Sequence, residues 1–149
     1  MSETNTRARL TYSVGNEHDP GDPFGRSELA IQRDGWARLE QHRIGQPKIW
    51  TGRVQAEALD RLWSALERGG FPNVPRHPIP GGSAMRKLAA NAGGVTQSVA
   101  VAWHAAKNLP GYDDAFTTLD GIIRQLSQDT VQHVPAAPTM IVTDVRRVC

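Results

Sequence analysis

His18, Asp19 and Asp22 lie close together with Glu17 beside them, so one short stretch carries an imidazole and several carboxylates. Groups of these types build open divalent-metal sites, and they also serve as acid and base in hydrolysis. Their spacing follows neither a calcium-binding loop nor an HExxH helix. The surrounding run, Asn-Glu-His-Asp-Pro-Gly-Asp-Pro-Phe-Gly over 16–25, consists of residues that surface turns use for their own backbone geometry. A loop is expected there, and the turn role outweighs the metal role.

His104 stands at the end of an apolar run, a place where α+β proteins do carry sites. The neighbouring Ala105-Ala106-Lys107 supplies nothing to orient an imidazole, so it reads as a polar strand tip rather than a base. A metal-assisted or acid–base hydrolase would need His104 to meet His18, Asp19 and Asp22. His42, His77 and His133 have no chemical partner in their own stretches.

Nucleophilic and phosphate chemistry find less support. Gly81-Gly82-Ser83-Ala84-Met85 lacks the second glycine and the leading strand of a nucleophile elbow. Cys149, the lone cysteine, stands at the last position, where no surrounding shell is expected to orient it or lower its pKa. Single Gly-Gly pairs at 81–82 and 93–94 make neither a P-loop nor a dinucleotide fingerprint. No cofactor is expected, and the reading is of a non-enzymatic protein.

Charge narrows the partners. The chain of 149 residues holds 17 basic residues, 14 of them Arg, against 15 acidic ones, for a net charge of +2. Acidic residues are interspersed among the basic ones, so no clustered field for nucleic acid is expected. No apolar run approaches the ~18 residues of a membrane span. The opening Met-Ser-Glu-Thr-Asn-Thr-Arg has no apolar core of a secretory signal, which points to the cytoplasm.

The elements that would position any site follow from periodicity. After a frayed start over 1–6, Leu10, Tyr12 and Val14 alternate with polar residues as in a half-buried strand. Two further runs, Ser27–Gln32 and Trp36–His42, flank Asp34-Gly35. A two-residue turn would mix their faces. A three-residue loop with a left-handed Gly35 pairs Leu29 with Leu39 and Ile31 with Ala37. Glu28, Ala30, Gln32, Trp36, Arg38, Glu40 and His42 then share the opposite face. A fourth strand, Lys48–Val54, directs Trp50, Gly52 and Val54 inward and Ile49, Thr51 and Arg53 outward.

A helix follows, with Leu59, Leu62, Trp63 and Leu66 on one stripe and Gly69-Gly70 then Pro72 to end it. The proline-rich run 71–82 is an extended connector. Met85–Ala90 and Val95–His104 form a second hairpin pairing Leu88 with Val99. Both faces of its second strand are apolar, which predicts a central or doubly covered position. The second helix, about 113–128, buries Phe116, Leu119, Ile122, Ile123 and Leu126, and Gly121 inside it suggests a close approach to the sheet. Residues 134–149 hold a linker and then a tail or final edge strand over 140–145.

The expected fold is therefore one α+β domain spanning 1–149. It has a mostly antiparallel sheet of six to seven strands, with two helices on one face, in the order β-β-β-β-α-β-β-α and a last β or tail. Trp36, Arg38, His42 and Arg53 project from the face without helices, and Trp and Arg are enriched at binding hot spots. The small residues Ala100 and Ala102 suggest that something covers that face further along, either the chain's own tail from Pro135 to Val148 or a second copy of the domain. These features favour a protein-binding or inhibitory module of adaptor or immunity type, by analogy of size and architecture. Self-association as a structural homodimer is the third reading.

Overall fold

The computed structural model describes residues 9–14, 26–42, 47–74, 85–92, 94–102, 105, 108–127 and 141–148. Seven strands and two helices alternate in the expected order. They are β1 (Arg9–Val14), β2 (Arg26–Ile31), β3 (Trp36–His42), β4 (Lys48–Val54), α1 (Ala56–Gly69), β5 (Met85–Ala92), β6 (Val95–Ala102), α2 (Tyr112–Leu126) and β7 (Val142–Arg147). All seven strands join one sheet in the spatial order β6-β5-β1-β2-β3-β4-β7, and every neighbouring pair is antiparallel.

Local turn chemistry sets the hairpin registers. Gly35 adopts φ 100°, and its N–H donates to Gln32 O at 3.0 Å while Gln32 N–H donates to Trp36 O at 2.7 Å. The loop closes after three residues, and Leu29 faces Leu39 as Ile31 faces Ala37. In the second hairpin Leu88 faces Val99, as the sequence predicts.

Both helices cover the same sheet face. Leu59, Leu62 and Leu66 of α1 are buried with Ala58 and Ala65, whereas Trp63 is only half-buried at the margin. Each buried leucine contributes roughly 1.5–3 kcal/mol. Gly70 at φ 87° ends the helix, its N–H donating to Glu67 O and Leu66 O. Phe116, Leu119, Ile122 and Leu126 of α2 complete the roof, with Ile123 half-buried. Under it lie Leu10, Tyr12, Leu29, Ile31, Leu39, Trp50 and Leu88, each 2% exposed or less.

Three expectations change. The first concerns β6, which is an edge strand rather than a central one, with Val95 64% exposed and residues 96–98 and Ala100 exposed as well. Its second face is apolar because it carries small residues, and no further strand flanks it among the described residues. The second concerns what covers Ala100: the tail forms the expected final edge strand, β7, against β4 at the opposite edge, so residues 142–147 do not cover Ala100. Gln125 Oε1 pins β7 by accepting from the N–H groups of Ile141 and Val142 at 2.9 and 3.0 Å.

The third concerns glycine. Among the described residues a Cβ at Gly121 would meet only Ile141 Cδ1, at 3.4 Å, which is ordinary contact. The close helix-to-sheet approach is at Gly52, where a Cβ would lie 2.7 Å from Leu126 and 2.9 Å from Val142. The absent side chain on β4 is what admits the end of α2.

Candidate functional site

The outer face of the sheet, opposite the helices, curves into an open groove of about 600 Å³. Its floor is made by outward residues of five adjacent strands, among them Thr11, Ser13, Ala30, Ala89, Ser98 and Ala100. These side chains are short because alternation sends the large apolar ones, Tyr12, Leu29, Leu88 and Val99, toward the helices. Lys87 lines the groove, as do Glu28, Arg38 and Glu40, so a small-residue floor carries charge of both signs around it.

The four residues predicted to form a binding face all project outward, at different places. Trp36 is 39% exposed, and the Arg53 guanidinium lies 4.7 Å from its ring centre, a cation–π contact between residues paired across β3 and β4. Arg53 also donates to Asp34 O at 3.2 Å, fastening the pair to the hairpin loop. His42 lies at the other end of β3, roughly 20 Å from Trp36 along an extended strand. Arg38 lies between them and alone of the four lines the groove. The structure therefore divides the predicted patch into an aromatic corner, a groove wall and a histidine end.

At the histidine end sits a cluster that no single stretch of sequence reveals. Glu28 of β2 faces Glu40 of β3 directly, and Arg26 faces His42. His42 Nε2 is 2.5 Å from Glu40 Oε2 and 3.6 Å from Glu28 Oε2. Arg38 bridges to Glu40 at 3.1 Å and Arg26 approaches Glu28 at 3.8 Å. The hairpin register placed all three on one face; their convergence depends on the diagonal reach between adjacent strands.

Behind the groove, beneath α2, runs a second polar network. Arg86 of β5 donates to Tyr12 Oη at 2.5 Å and to Asp120 Oδ2 at 2.9 Å, and the Tyr12 hydroxyl donates to Asp120 Oδ1 at 2.9 Å. Burial and the Asp120 carboxylate push the Tyr12 phenol well above its ordinary pKa. Arg86 also lies over the Phe116 ring, 5.3 Å from its centre. The network joins the sheet to α2 and faces away from the groove.

His18, Asp19, Asp22 and His104, the residues of the hydrolase reading, lie outside the described residues, as do Trp103 and Cys149. No described helix is long and apolar enough to cross a membrane. No protein-family model matches the chain, and no curated protein matches it either.

Proposed function

We propose that the chain is a protein-binding module that receives its partner on the outer sheet face, along the groove and its Trp36–Arg53 corner. The observation that carries this reading is the groove itself. A sheet roofed by helices on one side normally turns long polar side chains to water on the other, whereas here Ala30, Ala89 and Ala100 leave a concave floor. Its volume falls in the range of ligand-binding clefts, and its openness across five strands suits a polypeptide better than an enclosed small molecule.

Two polar walls would give the partner its orientation. Arg38 and Lys87 can pair with acidic groups, and Glu28 and Glu40 with basic ones. Trp36, held flat by Arg53, offers a rigid aromatic contact at the margin. An inhibitory or adaptor role needs only such a surface. The edge strand β6 adjoins the same groove, so a second copy of the chain is a partner of the same kind.

The test is a charge placed on the floor. Ala89→Arg and Ala100→Arg fill the groove without touching the helix-covered core. Immobilised wild-type chain is expected to retain a discrete partner from extract of its source, and the double variant to lose it while unfolding at the same temperature. Equal retention by both would remove the groove from the binding surface.

A further inference from the structure

We propose that Glu28, Glu40 and His42 form a binding site for a divalent transition-metal ion, with Zn²⁺ as the representative. This goes beyond the docking role of the face, because the site can fill whether or not a partner occupies the groove.

Geometry makes the first argument. One ligand atom from each residue can be chosen so that all three lie within 4.8 Å of one another. Ligands about 2.1 Å from a shared zinc ion lie no more than ~4.2 Å apart, so only a small side-chain adjustment separates this arrangement from coordination. All three stand on two hydrogen-bonded strands whose register is continuous from Arg26↔His42 to Ile31↔Ala37, which makes the platform rigid. One imidazole nitrogen with two carboxylates is a mixed donor set suited to zinc and its first-row neighbours rather than to calcium.

The second argument is the state of His42. Its Nε2 is shielded from solvent and has no hydrogen-bond partner among the described residues, although Glu40 Oε2 is only 2.5 Å away. The angle, not the distance, prevents a hydrogen bond. Nε2 and the carboxylate oxygen thus stand side by side rather than in donor–acceptor line, an arrangement that a cation accepting both as ligands would satisfy.

The third argument is Glu28 against Glu40. Like charges directly opposite on neighbouring strands destabilise a sheet. Arg26 and Arg38 offset this through partly exposed pairs of the kind that contribute little, about 0–1 kcal/mol. A divalent ion would satisfy both carboxylates and the imidazole together, leaving its remaining positions to water or to a donor from a partner. The rival occupant is a proton on His42, which would pair with Glu40 at 2.5 Å and, more distantly, with Glu28 at 3.6 Å.

The experiment uses the untagged full chain, stripped of metal with a chelator and titrated with Zn²⁺ by calorimetry and with Co²⁺ by visible absorption. The expected result is one tight site per chain that raises the unfolding temperature. Glu28→Gln, Glu40→Gln and His42→Gln should each weaken it by about tenfold or more, while Arg61→Ala on α1 and His18→Gln leave it intact. The visible absorption of bound Co²⁺ separates a metal from a proton, which gives no such band. The proposal is overturned by absence of saturable Zn²⁺ binding below millimolar concentration, or by a site that survives in the Glu28→Gln/His42→Gln double variant. These surface variants keep the buried core, and unchanged unfolding of the metal-free forms verifies that the loss is local.

Discussion

Arg86 Nη1 lies 2.9 Å from Asp120 Oδ2, so an ion pair with an Arg side chain only 10% exposed and an Asp side chain 27% exposed ties β5 to α2. The Tyr12 hydroxyl bonds to the same two side chains, which makes the contact a network of at least three side chains rather than a surface bridge. This network, more than any exposed pair, fixes α2 across the sheet and so keeps the two faces distinct.

Asp120→Ala takes the Asp120 carboxylate from the buried Arg86. Breaking a buried pair from one side costs about 3–5 kcal/mol, and the partial exposure of Asp120 places the expectation at the lower end, ~3 kcal/mol. Urea unfolding measures it. The exposed Arg68–Asp114 pair, at 3.2 Å with both side chains 61% exposed, is the contrast: Arg68→Ala should change stability hardly at all.

Alkaline pH should act through Tyr12. Its folded pKa is raised by burial and by Asp120, so the folded chain keeps the phenol proton that the unfolded chain releases above about 10. The stabilising contribution is whole below that value and declines as pH rises past it, by about 1.4 kcal/mol per pH unit. Tyr12→Phe has no such proton and should flatten the fall in urea midpoint between pH 9 and pH 11. Tyr112, also raised by burial, contributes to the slope that remains. An unaltered slope in Tyr12→Phe would assign the alkaline loss elsewhere.

Gly52→Ala should destabilise by about 1–3 kcal/mol, because the added methyl meets Leu126, Val142 and, at 3.2 Å, the backbone oxygen of Thr143. Gly121→Ala, with space for its methyl, should be neutral or slightly stabilising through helix propensity. Thermal unfolding of the pair distinguishes a glycine that admits a neighbour from one that does not.

Most of the strand and helix layout was legible because it is written in short-range chemistry. Asp34-Gly35 specifies a bulged loop, and that loop sorts Glu28, Arg38, Glu40 and His42 from Leu29, Ile31 and Leu39. Gly69-Gly70 does the same for the end of α1. What stayed hidden was long-range. Nothing in Met85–Ala92 announces that β5 enters beside β1 and leaves β6 at the edge, since that pairing joins residues nearly eighty positions apart. The apolar alternation of β6 therefore suggested a central strand. Arg86 gave no signal of burial, because its partners Tyr12 and Asp120 come from opposite ends of the chain. The Glu28–Glu40–His42 cluster was half legible: the register put the three on one face, and only the strand coordinates bring their donor atoms together.

The central claim, that the outer face receives a protein, is tested most directly by a photo-cross-linking amino acid placed at position 100 on the groove floor and, separately, at Arg61 on the solvent side of α1. Irradiation in the source cells should give a discrete covalent adduct from position 100, to another protein or to a second copy of the chain, and none from position 61. Adducts from position 61 alone, or from neither position, would contradict the account.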